Sequence, residues 1–394
     1  MFDAMKPAPA DKILALMAQY REDSRPDKVD LGIGVYKDEH GNTSVMRAVR
    51  EAEKRLHNEQ TTKSYVGLQG DKAFCDLMAE MVVADAVPAQ RLRVCQAPGG
   101  SGALSILSVM LNRANPGATV MLSDPSWPNH IPLLNVAGLT PRFYPYYDPQ
   151  TGTVTFDAMM NALADAEAGT AVLLHGCCHN PTGADLSIDQ WQAVAQLCNV
   201  NNLLPFVDFA YLGFGDGLEA DTAGLRLMAS SVPRMLIAAS CSKNFAVYRE
   251  RVGAAMIIGA DAVEADIAFS QLLSVARGMY SMPPDHGAAV VRIILEDADL
   301  KADWMAELEA MRTRMASLRA DFADALRRAS NSARFDFVAK QKGMFSRLGL
   351  TPEQIDILRE EHGIYIVSDS RINIAGLPAE ALDDLARAIV SVAS

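Results

Sequence analysis

Basic charge is scarce in this chain: 36 lysines and arginines stand against 48 aspartates and glutamates, a net charge of −12 over 394 residues. Nucleic-acid binding calls for the opposite surface, so no nucleic-acid partner is expected, and the acidic excess favours solubility. Long apolar runs are missing too, and no segment approaches the roughly 20 residues needed to cross a bilayer, so no membrane partner is expected. The N-terminus, Met1-Phe2-Asp3-Ala4-Met5-Lys6-Pro7, has neither a basic nor an apolar region, which predicts no export signal and a cytoplasmic location. Six cysteines with no C-x-x-C pair read as reduced thiols rather than a disulfide framework. His175-Gly176-Cys177-Cys178-His179 crowds metal-binding side chains, but ligands this tightly packed cannot all face one tetrahedral ion, and no metal is expected. Internal repeats and low-complexity segments are absent.

What is present is the composition of an ordinary globular protein, 49% hydrophobic and 21% charged, long enough for two domains or one large α/β domain with an appendage. Short apolar runs, Val94–Ala97, Ala118–Ser123, Ala171–His175, Leu203–Asp208, Arg234–Ser240 and Val252–Ile258, alternate with amphipathic segments such as Ser187 to Val200. The latter opens on the capping box Ser187-Ile188-Asp189-Gln190. Continuous apolar strands separated by helices predict a parallel sheet covered on both faces, with ligands beyond the carboxyl ends of its strands. From Leu300 to Arg328 no Gly or Pro interrupts an apolar stripe of Met305, Leu308, Met311, Met315, Leu318, Phe322 and Leu326, which predicts one long helix bridging two domains. Beyond it the pattern shifts to short strands, Phe335–Val338, Ile364–Val367 and Arg371–Ile374, and to a helix between Thr351-Pro352 and Gly363, placing a domain boundary near residue 310.

The richest stretch is Ser240-Cys241-Ser242-Lys243-Asn244-Phe245, followed by Glu250-Arg251-Val252-Gly253. An apolar strand that delivers an amine into a cleft lowers its pKa by desolvation, and a nearby cation lowers it further, so the lysine can form an imine. That suits an enzyme of pyridoxal phosphate (PLP). Ser240-x-x-Lys243 also matches the nucleophile motif of penicillin-binding proteins and β-lactamases, yet the Ser-Asp-Asn and Lys-Thr-Gly elements of those enzymes are missing.

Pro98-Gly99-Gly100-Ser101-Gly102 follows a predicted strand and opens a predicted helix, so its backbone N–H groups and the Ser101 hydroxyl suit a phosphate. The dinucleotide fingerprint is incomplete, because Ser105 stands where its third glycine belongs and Leu31-Gly32-Ile33-Gly34 runs into Lys37; a nicotinamide oxidoreductase is the weaker alternative. Asp208 ends an apolar run and Tyr211 follows three residues later. A strand-end carboxylate can keep the ring nitrogen of PLP protonated, and a tyrosine at that distance can reach the ring's phenolic oxygen.

Together with His175-Gly176-Cys177-Cys178-His179-Asn180-Pro181-Thr182-Gly183, Asp208-Phe209-Ala210-Tyr211 and Ser123-Asp124-Pro125-Ser126-Trp127-Pro128-Asn129-His130, these motifs resemble the class I aminotransferases of the aspartate and aromatic group. The resemblance runs from Leu31 to Gly376, in order. It implies the PLP-dependent transferase fold: a large domain with a mainly parallel seven-stranded sheet flanked by helices, residues 45–310; a smaller α+β domain from 15–44 and 311–394; and an N-terminal arm, 1–14. Lys243 would bind PLP covalently and shuttle the substrate proton, and Asp208 would pair with the ring nitrogen. Tyr211 and Asn180 would bond its phenolic oxygen, and Trp127 would stack on the ring. Gly100, Ser101, Ser240 and Arg251 would hold its phosphate, joined by Tyr65 of a second subunit. Arg371 would clamp the substrate α-carboxylate beside Ile33 and Gly34, a task that suits the planar fork of a guanidinium.

Arg277, within Ala276-Arg277-Gly278-Met279-Tyr280-Ser281-Met282, matches the arginine that in this family comes from the neighbouring subunit to bind a side-chain carboxylate, which implies a homodimer. Met279 and Met282 stand where the aspartate-specific branch usually has asparagine, and with Arg347 they resemble the bacterial aromatic amino acid aminotransferases. The expected reaction moves the amino group of aromatic amino acids or aspartate to 2-oxoglutarate. A strictly aspartate-specific aminotransferase and, more remotely, a noncatalytic PLP-binding regulator are the alternatives.

Overall fold

A computed structural model of the protein describes residues 2–7 and 12–393. Residues 1 and 8–11 of the expected arm lie outside the described ones. Its centre is a seven-stranded sheet whose strands are, in chain order, β1 (Leu92–Pro98), β2 (Thr119–Asp124), β3 (Thr140–Pro145), β4 (Ala171–His175), β5 (Leu204–Phe209), β6 (Met235–Ser240) and β7 (Val252–Ile258). They lie side by side in the order β1-β7-β6-β5-β4-β2-β3.

All neighbours run parallel except β7, which is antiparallel to both β1 and β6. The sheet is therefore mainly parallel, as expected, with one strand reversed. Reversal follows from the short link: β6 returns into β7 through Cys241–Arg251 with no crossover helix, and parallel strands need a crossover of a dozen or more residues. Because β7 runs backwards, its first residues lie beside the last residues of its neighbours, Val252 opposite Pro98 and Gly253 opposite Ser240. The lysine loop thus enters at the same edge as the glycine turn after β1.

β3 escaped the sequence reading. Its run Thr140-Pro141-Arg142-Phe143-Tyr144-Pro145 carries two prolines and an arginine, a composition admissible only at a sheet edge, where it lies. Helices cover both faces, with separate apolar clusters on each side of the sheet.

The long helix observed, Ala298–Ser330, is two residues longer at each end than its Gly- and Pro-free core. Its stripe differs at one place: Met305 faces solvent and Trp304 is buried instead. Trp304 stacks on Phe245 with centroids 4.3 Å apart and donates its indole N–H to the Asn244 carbonyl at 2.7 Å. That fastens the helix to the loop carrying Lys243. Further along, Leu318, Phe322 and Leu326 enter a third apolar cluster with Leu31, Ile355, Leu358 and Ile372.

In this C-terminal region Phe335–Val338 is not a strand, as expected from its apolar residues, but a turn leading into the short helix Phe337–Lys340; Phe335 and Val338 pack into the third cluster from there. The strands that do form are short: Val29–Asp30 with Ile364–Tyr365, and Phe345–Arg347 with Arg371–Asn373. Thr351 closes a capping box with Gln354, and Gly363 ends that helix at φ 66°, as its position predicts. Among the described residues no helix is long and apolar enough to cross a membrane.

Candidate active site

The carboxyl ends of β1, β4, β5 and β6 open on a cavity of about 270 Å³. Lys243 projects into it from the β6–β7 loop, its ammonium 4.7 Å from the centre of the Tyr211 ring. Burial pulls its pKa down, Asp208 opposes, and the Arg251 charge adds to the fall. Among the described residues no carboxylate forms an ion pair with it.

Asp208 sits on β5 directly opposite His175 of β4. Burial works against its ionisation, but the hydrogen bond and charge of His130, with His175 and Lys243, outweigh it and keep the carboxyl below its usual range. The His130 bond is 3.0 Å from Nε2 to Oδ2, and Nδ1 lies 3.0 Å from the Ser126 hydroxyl. Nε2–H thus donates to the carboxylate while Nδ1 meets the Ser126 hydroxyl. His175, tilted against the His130 ring at 5.3 Å, has both nitrogens unpartnered, and burial pushes it down to about 3, so it is neutral.

A second group of residues is shaped for an anion. Gly99 has φ 70°, and a Cβ there would lie 2.6 Å from Arg251 Nη2, so only glycine lets this turn close on the guanidinium. The 16-residue helix Gly99–Ala114 starts here, and its free N–H groups face the same edge as the Ser240 hydroxyl. Arg251 donates to Ser242 Oγ at 3.3 Å and to the Tyr248 carbonyl at 3.1 Å, and among the described residues no carboxylate pairs with it. Gly253 lets the two segments approach, since a Cβ on it would meet Gly99 C at 2.5 Å and Ala239 O at 2.7 Å. Gly253→Ala is expected to cost about 1–3 kcal/mol, read as a lower urea midpoint of the cofactor-free protein. An unchanged midpoint would contradict this seating of the helix.

Arg371, only 4% exposed, forms the third feature. It donates to Asn180 Oδ1 at 3.3 Å and to the Gly32 carbonyl at 2.9 Å, and it lies 4.3 Å over the Phe345 ring. Its Nε has no partner, and burial lowers its pKa. A buried guanidinium with neither a carboxylate nor a full set of acceptors is arranged to receive an anion. Asn180 links it to the Tyr211 hydroxyl, 3.3 Å from Nδ2.

Of the expected site residues, Gly34, Gly100, Ser101, Trp127, Asn180, Asp208, Tyr211, Ser240, Lys243, Arg251 and Arg371 all line this cavity. Ile33, Tyr65 and Arg277 do not. Ile33 lies beside it, its carbonyl held by Asn373 at 2.7 Å. Tyr65 is 86% exposed, and Arg277 stands exposed in the last turn of the helix Ala262–Met279, bonded to the Ser281 hydroxyl. Sequence reasoning missed His130 as the partner of Asp208, and it missed Ser242, Tyr248 and Phe345. His130 and Tyr248 stood inside or beside quoted motifs, but nothing in their spacing marks them as polar contacts of the site.

Known proteins resemble this chain over its full length. A family model described as "Aminotransferase class I and II" matches residues 26–389. The chain is 50% identical over 392 residues to an aromatic-amino-acid aminotransferase of Paracoccus denitrificans, and 45% identical over 395 residues to an aspartate aminotransferase of Escherichia coli; each match covers 100% of both chains. A solved aromatic-amino-acid aminotransferase from Burkholderia pseudomallei, covalently bound to pyridoxal phosphate, superposes with a TM-score of 0.97 at 44% identity over 100% of both chains. An amine, a carboxylate and two unpaired guanidinium groups around one cavity therefore sit in a chain that belongs to the class I and II aminotransferases.

Proposed function

We propose that the protein transfers the amino group of aromatic amino acids, and of aspartate, to 2-oxoglutarate through PLP, in two half-reactions that share one site. The observation that carries this reading is the convergence of Lys243, Asp208, Arg251 and Arg371 on one cavity, with the lysine half-buried, its pKa lowered, and, among the described residues, neither arginine paired to a carboxylate. The residues fit the cofactor: Lys243 offers the amine, Asp208 the counter-charge for its ring nitrogen, and Tyr211 and Asn180 the partners for its phenolic oxygen. Trp127 offers a stacking face, and Gly100, Ser101, Ser240 and Arg251 offer the phosphate cradle. Bound there, PLP supplies an aldehyde that condenses with amines and a ring that withdraws electrons from the substrate α-carbon.

The chain's own residues do the rest. Arg371 orients the substrate by its carboxylate, with Ile33 and Gly34 alongside. Lys243, its basicity set by burial, takes the proton from the α-carbon and returns it. Residues 45–310 act as the cofactor-binding domain, 15–44 with 311–394 as the smaller one and 1–14 as an arm. Tyr65 and Arg277, both outside the cavity of their own chain, reach the site of a second copy, which makes the working unit a homodimer in the cytoplasm. A protein that is yellow, and whose visible spectrum changes on adding phenylalanine, separates this reading from a nicotinamide oxidoreductase or an acyl-enzyme hydrolase; a colourless protein sinks it.

Arg277 must serve two kinds of substrate. Burying an aromatic side chain gains roughly 4 to 6 kcal/mol, from about 150 to 250 Å² at about 25 cal/mol per Å². Leaving an arginine buried and unpaired costs about 3 to 5 kcal/mol, which nearly cancels that gain. Arg277 therefore pairs with dicarboxylates and swings toward solvent for aromatic side chains, with the flexible Met279 and Met282 beside it filling the space. Arg277→Leu is expected to lower kcat/KM for aspartate about hundredfold and for phenylalanine far less, measured side by side with 2-oxoglutarate. Equal losses would refute the swing. Wild-type enzyme inert toward phenylalanine would mean an aspartate-specific aminotransferase instead.

A further inference from the structure

The backbone of 32–38, which carries Gly34 into the cavity, is held by distant side chains. Arg371 holds the Gly32 carbonyl, Asn373 holds those of Ile33 and Val35, each at 2.7 Å, and Arg314 holds those of Lys37 and Asp38 at 3.1 and 3.4 Å. These three lie on the strand Arg371–Asn373 and the long helix. Tyr248 alone of the group comes from the lysine loop. Its hydroxyl accepts the Tyr36 N–H at 3.0 Å across 212 residues of sequence, its ring lines the cavity, and its own carbonyl accepts from Arg251. One residue thus touches the substrate-facing segment through its side chain and the anion-binding arginine through its backbone.

Packing leaves little slack nearby. A Cβ on Gly34 would lie 2.9 Å from the tip of the Phe345 ring, the ring beneath Arg371. A displacement of 32–38 therefore moves Gly34 against Phe345 and disturbs the guanidinium above it.

We infer that Tyr248 is a positioning residue for substrate: its hydroxyl registers the 32–38 segment, and through it Gly34 and Arg371, against the loop that carries Lys243. The inference rests on the reading of Arg371 as the substrate-carboxylate site. Tyr248 takes no part in proton transfer, so its loss acts on binding rather than on turnover.

The test is Tyr248→Phe, which removes one oxygen and keeps the ring. Loss of a part-buried neutral hydrogen bond is worth about a fivefold change in an equilibrium. In the holoenzyme, KM for phenylalanine and for aspartate, and Kd for the unreactive 3-phenylpropanoate, should each rise about fivefold with kcat within about twofold. Hydrogen exchange at the Tyr36 amide should quicken by a similar factor, while the pH titration of the visible spectrum, which reports Lys243, stays as in the wild type. Unchanged KM and Kd values, an unchanged Tyr36 exchange rate, or a shifted spectral titration would each overturn the assignment. Arg371→Lys assayed with the same 3-phenylpropanoate separates the two readings. If that variant binds the probe as well as wild type, the substrate-site reading fails; if it binds weakly while Tyr248→Phe is silent, only the role of Tyr248 does.

Discussion

Lys243→Ala is expected to abolish sustained transamination, a loss of at least about 10⁴-fold in kcat, while leaving a folded protein that still binds PLP noncovalently. The size of the loss follows from the absence of any substitute among the residues lining the cavity. Among the described residues lining it Lys243 is the only amine, and a guanidinium does not serve as a general base. His175 also lines the cavity, but burial holds it at about 3 and its ring nitrogens have no partner through which a proton could pass. Burial pushes the Tyr211 phenol up, away from the range of a useful base. Asp208 is kept below its usual range, with His130 on one of its oxygens. Steady-state assay of the variant, with borohydride reduction and peptide mapping of the wild type, checks the claim. Appreciable steady turnover, or a label on any other side chain, would remove Lys243 from its role.

The same desolvation that makes Lys243 reactive is written in the sequence, which explains why so much of the site was legible. Met235-Leu236-Ile237-Ala238-Ala239 is an unbroken apolar run, all of it buried as β6, and such a strand can only deliver its next polar residues into a cleft at its end. Asp208 was legible for the same reason, near the end of a buried strand. Glycines marked the anion cradle because close approach of backbone to Arg251 forbids a side chain at Gly99.

What sequence could not carry was direction and distance. Nothing in Val252–Ile258 says that it pairs antiparallel; that depends on the length of the loop before it and on which strand it meets. The strand Thr140–Pro145 hides behind residues that central strands reject, and Phe335–Val338 looks like a strand because packing into the third cluster needs apolar residues whatever their backbone does. His130 and Tyr248 act through single hydrogen bonds over 78 and 212 residues, contacts that leave no periodicity to read. Tyr65 and Arg277 lie outside the cavity of their own chain, and the proposed function assigns them to the site of a second copy.

Asp208→Asn isolates the counter-charge from the shape around it, and its expected cost is about 10³-fold in kcat/KM for every substrate. Asparagine keeps the volume, and its Oδ1 can still accept from His130 Nε2, so the network to Ser126 survives and only the negative charge is lost. That charge is held ready in the native protein, since His130, His175 and Lys243 together overcome the burial penalty on the carboxyl. Without it, the described residues lining the cavity offer no anion to keep a ring nitrogen protonated, and the electron withdrawal on which transamination depends weakens for aromatic and dicarboxylic substrates alike. Asp208→Glu keeps the charge and should retain more activity than Asp208→Asn despite its altered length. The cofactor-free protein offers an independent reading with a definite sign. Asp208 raises the Lys243 pKa against burial and Arg251, so removing the carboxylate leaves only lowering influences, and the amine must titrate at lower pH in Asp208→Asn than in wild type. The pH dependence of Lys243 acylation, followed by mass spectrometry, measures that shift; a shift upward, or an activity loss confined to one substrate class, would place the carboxylate in some other role.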